Sequence, residues 1–60
     1  MISLIQNNKK CNLEFKQVVT DRANMIIKKG YIIGSIKYFK NDFNRYTGAI
    51  IKYKDRTNQL

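Results

Sequence analysis

The sequence predicts a small α+β protein: a short helix, a strand, a long amphipathic helix and a β-hairpin, in the order α-β-α-β-β, with a small sheet covered by helices. Three observations predict it. Apolar residues recur at three- and four-residue steps from Phe15 to Ile27, the period of one helix face. Two later runs, 31–40 and 49–54, are dense in Ile, Tyr and Phe, a strand composition. Between them, Asn41-Asp42-Phe43-Asn44-Arg45-Tyr46-Thr47-Gly48 has the Asn, Asp and Gly content of a hairpin loop.

Taken in order, Met1, Ile2, Leu4 and Ile5 are spaced for one or two helical turns over residues 1–7. Asn7-Asn8-Lys9-Lys10 is a polar connection. Cys11, Leu13 and Phe15 alternate with Asn12, Glu14 and Lys16, a short strand signal. In the long helix Phe15, Val18, Val19, Ala23, Ile26 and Ile27 form the apolar face, opposite Lys16, Gln17, Thr20, Asp21, Asn24 and Lys28. Lys28 and Lys29 fall in its last turn, where cations suit the helix dipole. Gly30 follows where a left-handed cap favours glycine, and Gly34 marks a bulge in the next strand. In the last strand Ala49, Ile51 and Tyr53 alternate with Ile50, Lys52 and Lys54, one apolar face and one largely basic face. The polar tail, residues 55–60, is expected to fray.

Sixty residues make a single domain, and a chain this short buries only about 60% of its unfolded surface. Cys11 is the one cysteine and there is no histidine, so neither an internal disulfide nor a structural zinc site is available. A partner is the expected source of additional stability. The charge indicates its chemistry: twelve Lys and Arg against four Asp and Glu leave +8, which favours polyanions, nucleic acid first and an anionic membrane surface second. No uninterrupted apolar stretch exceeds three residues, as in Tyr31-Ile32-Ile33, so no membrane span is predicted. The first residues lack the basic leader of a signal peptide, and an unpaired cysteine fits a reducing compartment. Nine Ile, nine Lys and seven Asn are residues of AT-rich codons and indicate an AT-rich genome.

Catalysis is not expected. No histidine stands ready as a base near neutrality. Cys11, alternating with Leu13 and Phe15, is expected as a small core residue. Glu14, Asp21, Asp42 and Asp55 are too dispersed for a metal or an acid–base pair, and the glycines form no phosphate-binding loop; no cofactor is predicted. The basic residues carry more. Lys9 and Lys10 beside Asn7 and Asn8 combine charge with amide groups suited to phosphate and sugar. Lys37, Lys52 and Lys54 are placed to line one side of the hairpin. Of Tyr31, Tyr38, Phe39 and Tyr53, candidates for base stacking, most are expected under the helix, where a small core needs aromatic area.

The string Ala23-Asn24-Met25-Ile26-Ile27-Lys28-Lys29-Gly30-Tyr31-Ile32 resembles the helix end of bacterial-type small-subunit ribosomal protein S-eight, where a lysine-rich helix closes on a Gly-aromatic-Ile step. Ile50-Ile51-Lys52-Tyr53-Lys54 is similar to that family's second hairpin strand, and Ile5-Gln6-Asn7 to the Ile-Arg-Asn step ending its first helix. The α-β-α-β-β order is that of its N-terminal domain. Leu4 and Gln6 stand where the family places arginines, and Phe15-Lys16 replaces its Pro/Tyr-Ser-Lys step. The match spans the first half of a typical member, without the C-terminal domain that makes the principal rRNA contact. The resemblance implies a structural, ribonucleoprotein component that binds small-subunit rRNA, beside neighbouring ribosomal proteins and a separate chain for the missing half. It places the chain in a reduced mitochondrial ribosome, with another organelle or a host cytoplasm as the alternative. The candidate RNA-binding residues are then Gln6, Asn7, Asn8, Lys9, Lys10, Lys16, Lys37, Lys52 and Lys54. A phage-type inhibitor of a host nuclease or other enzyme, acting by protein–protein contact, fits the size and AT bias as well. A ribbon-helix-helix repressor does not, because here the long helix precedes two strands.

Overall fold

Helix α1 spans Asn12–Lys28, preceded by strand β1 (Ile2–Gln6) and followed by β2 (Tyr31–Lys40) and β3 (Tyr46–Asp55), in a computed structural model that describes residues 1–55. The strands form one antiparallel sheet in the order β1-β3-β2, with the helix on one face. The α+β class and the small sheet under a long helix are as expected. The element order among the described residues is β-α-β-β, and a single helix covers the sheet there.

Two N-terminal expectations are corrected. Residues 1–7 are not a short helix: β1 pairs with β3 from Ile2↔Lys52 to Gln6↔Gly48. A helix of one or two turns lies below the length at which nucleation is recovered. Zipping onto β3 satisfies the same backbone groups and buries Ile5. The bonds run on to the terminus, where Met1 N donates to Tyr53 O at 2.7 Å and Tyr53 N to Met1 O at 2.9 Å. The second correction is that the alternation from Cys11 to Lys16 is not a strand but the first turn of α1. Leu13 is 73% exposed whereas Phe15 is fully buried, so the alternate residues do not share a face. Glu14 in the first turn suits the positive end of the helix. Asn12 fastens that end to the hairpin, its Nδ2 donating to Asn44 O at 3.1 Å and its Oδ1 accepting from Tyr46 N at 3.0 Å. Cys11 sits just before the helix, extended and exposed; it is not a core residue.

At the other end the sequence reading holds. Lys29 N donates to Ile26 O and Gly30 N to Ile27 O, and Gly30 turns the chain at φ 99°. The core is then α1's Phe15, Val19, Ala23 and Ile26 against Ile5, Ala49 and Ile51. Tyr31, Ile33, Tyr38, Tyr46 and Tyr53 close its margins. Phe15 meets the rings of Tyr38 and Tyr46 at 6.2 and 6.1 Å, and Tyr31 meets Tyr53 edge-on at 5.1 Å. Such edge and offset contacts suit the ring quadrupoles.

The β2–β3 register shifts between Ile33 and Ser35, so Gly34 is the expected bulge residue. One extra residue reverses which side chains face the helix. Ile33 opposes Tyr53 before the bulge and Tyr38 opposes Ala49 after it; Ile33 and Tyr38, one odd and one even in number, share a face only because of Gly34. A Cβ there would meet Lys52 O at 3.3 Å. Gly48 is tighter: a Cβ would lie 2.9 Å from Ile5 O, so the approach of β1 to β3 requires glycine at this position. The hairpin turn is held by Asn41, whose Oδ1 accepts from Phe43 N at 2.9 Å and Arg45 N at 3.0 Å. Asn44 takes the left-handed conformation at φ 66°, which Asn tolerates better than most residues. The expected fraying of the tail, beyond Asp55, lies outside the described residues.

Candidate nucleic-acid interface

With one helix among the described residues, the sheet has one covered face and one open face there. Alternation sends Ala49, Ile51 and Tyr53 toward α1 and Ile50, Lys52 and Lys54 away from it. The register then fixes their neighbours. Lys37 lies opposite Ile50, which lies opposite Leu4; Ser35 lies opposite Lys52, which lies opposite Ile2. One row toward the hairpin, Phe39, Gly48 and Gln6 stand side by side; at the far end Ile32 flanks Lys54. Lys37, Lys52 and Lys54 therefore share the open face, as their spacing predicts. No carboxylate shares it among the described residues: Glu14 and Asp21 are on α1, Asp42 is in the turn, and Asp55 follows the parity of Tyr53.

The lysines are interleaved with apolar side chains. Ile2 is 62%, Leu4 66% and Phe39 37% exposed, and Ile50 between them is partly exposed. Lys37 Nζ sits 5.8 Å from the Phe39 ring centroid, within cation–π reach. Of the four aromatic candidates, Tyr31, Tyr38 and Tyr53 pack against the core and Phe39 alone is on the open face. The apolar members Ile2, Leu4 and Ile50 escape a reading of charge and aromaticity. Their signal was the even-number spacing of Ile2 and Leu4, visible only once β1 is a strand.

The remaining candidates lie elsewhere. Gln6 is exposed on the open face beside Gly48. Asn7 is engaged by the fold: its Nδ2 donates to Tyr46 O at 2.6 Å and its Oδ1 accepts from Lys9 N at 2.7 Å. Asn8, Lys9 and Lys10 are exposed in the β1–α1 connection. Arg45 donates through Nη2 to Lys10 O, which draws that connection and the hairpin turn together at one end of the sheet. This brings Lys9 and Lys10 near Arg45, a cation that reading Lys9 and Lys10 with Asn7 and Asn8 does not include. Lys40, at the same end, places Nζ 5.5 Å from the Tyr46 ring centroid. Lys16 is exposed on α1, across the molecule from the open face, and joins neither group.

A groove of about 360 Å³ runs between α1 and the sheet's covered side, lined by Ser3, Arg22, Met25, Ile26, Lys29, Tyr31 and Tyr53. Arg22 Nη1 donates to Ser3 Oγ at 3.0 Å there. Its cations bracket the end of the helix where the dipole is negative, which weakens it for anions. Burial first, and the neighbouring Tyr46 second, hold the Tyr38 phenol above its ordinary pKa. Among the described residues no three His, Cys, Asp or Glu side chains converge on a metal-sized site. No described helix is long and apolar enough to cross a membrane. Comparison with family models, with curated proteins and with solved structures finds no match to this chain.

Proposed function

We propose that the chain is a non-catalytic RNA-binding protein whose open sheet face carries the contact, acting as a component of a small ribosomal subunit. The observation that supports it most is the alignment of Lys37, Lys52 and Lys54 on one face that holds no carboxylate among the described residues. Three cations on a solvated surface repel one another, and a polyanion relieves that repulsion. Gln6 at the edge of this face adds an amide donor and acceptor. Lys9, Lys10 and Arg45 provide a second cationic point at the hairpin end, suited to a neighbouring phosphate. The stretch that carries the ribosomal resemblance includes Lys28-Lys29-Gly30-Tyr31, at the step from α1 to β2, and a mitochondrial ribosome is the setting proposed. Neighbouring ribosomal proteins would cover the exposed apolar side chains that RNA leaves bare.

The test is co-sedimentation. The protein is expected to migrate with small ribosomal subunits on a gradient at low salt and to be released at high salt. Retention at the top of the gradient under both conditions overturns the proposal.

One observation favours the second reading, inhibition of a host enzyme by protein contact. Phe43, at the tip of the hairpin, is 85% exposed, an aromatic anchor of the kind that fills a partner's pocket. Binding to a purified nuclease that persists at high salt and is lost in Phe43→Ala supports that reading over the first.

A further inference from the structure

We infer that the open sheet face takes single-stranded RNA in preference to duplex RNA. The inference rests on the RNA-binding reading and sharpens it to a substrate class. A duplex offers a protein its phosphates, sugars and groove edges, while its base faces are stacked inside. Lysines on a polar surface suffice to meet it. Here the lysines are flanked by Leu4, Ile50 and Ile2, with Phe39 at the head of the face. Against a duplex those apolar groups would desolvate phosphate and ribose without replacing the lost hydrogen bonds. Against a single strand they meet unstacked bases, whose apolar faces match them.

The layout supports the same choice. From the Gly48 row to the Lys54 row is six residues along β3, about 20 Å at roughly 3.3 Å per residue. That is a track for a short run of nucleotides, with Phe39 at one end and three cations spaced along it. Gly48, itself buried, puts no side chain between Gln6 and Phe39, so none projects from the central strand beside the ring. A second copy of this chain is a poor occupant, because it would bring three more lysines against these three. An acidic partner would meet the lysines as well, and the polyglutamate competition below separates it from a single strand.

The experiment is fluorescence anisotropy of the full chain with a labelled single-stranded oligouridine and with a hairpin duplex of equal phosphate number. Expected is tighter binding of the single strand, with a log–log salt slope of about 2, from three phosphates at roughly 0.7 each. Phe39→Ala is expected to weaken single-strand binding roughly ten- to hundredfold with the slope unchanged, while Phe39→Trp retains it. Circular dichroism of both variants shows whether each is folded. Equal or tighter binding of the duplex overturns the inference and leaves RNA binding standing. Binding of neither RNA at low salt overturns both. Competition by polyglutamate as strong as by oligouridine also overturns the inference, because the face is then a general anion surface.

Discussion

At the residue scale, two glycines and one tyrosine show how local chemistry shapes this chain. Gly30 turns the chain at φ 99° with open space where a Cβ would be, so its requirement is conformational and not steric. Gly30→Ala should therefore cost about 1–2 kcal/mol, the strain of an L residue in that region, read as a lowered midpoint in urea with an unchanged slope. At Gly48 the reason is the backbone of β1, 2.9 Å from the missing Cβ; space, not φ, excludes other residues. Tyr38 carries a prediction at high pH. Burial raises its pKa above the unfolded value, so the folded state holds its proton more tightly. That contribution is complete below about pH 10 and is lost as pH rises through the folded pKa. Thermal midpoints should fall with pH above about 10, and the fall should be smaller in Tyr38→Phe. Equal falls in both proteins would show that Tyr38 is not the group responsible.

At the element scale the sequence was legible where a signal is local and misleading where it depends on a distant partner. Helix α1 from Phe15 onward, the Gly30 cap, the Gly34 bulge and the alternation in β3 all follow from spacing within a few residues. The first strand does not. Met1, Ile2, Leu4 and Ile5 fit a helical turn as well as a strand, and the choice is made by the free edge of β3, about fifty residues away. Cys11, Leu13 and Phe15 alternate by coincidence. What decides their state is Asn12, anchored to Asn44 and Tyr46, a contact between residues more than thirty apart. The candidate site divides the same way. The shared side of Lys37, Lys52 and Lys54 was legible from parity, whereas the apolar members Ile2 and Leu4 required the correct first element. The hairpin carries a prediction of its own. Asn41 accepts two backbone N–H groups, so Asn41→Ala should destabilise by about 1–2 kcal/mol. Amide exchange should quicken first at Phe43 and Arg45.

At the scale of the whole molecule, a core of seven buried residues supports a chain with +8 net charge. A domain of this length has a total stability of about 3–9 kcal/mol. Ile51, fully buried in the central strand, is worth about 2–5 kcal/mol on truncation to alanine. Ile51→Ala is thus expected to be largely unfolded at 37 °C when free, and an RNA that binds only the folded form should restore part of its helical signal. The fold spends one sheet face on its core and leaves the other to solvent. On the proposal made here that open face is the functional surface, its lysines holding phosphates and its apolar side chains receiving bases.

The most direct test removes charge from the open face and, in a separate protein, the same charge from the helix side. Lys37→Gln, Lys52→Gln and Lys54→Gln are combined in one variant; Lys16→Gln, Lys28→Gln and Lys29→Gln in the other. Both lower the net charge equally, so a non-specific electrostatic effect alters both alike. RNA affinity is then measured across a salt series. The account predicts that the first variant loses about 2 from the log–log salt slope, roughly 0.7 for each phosphate contact removed, while the second stays near the unmodified protein. Equal losses in the two variants, or a larger loss in the second, would contradict it.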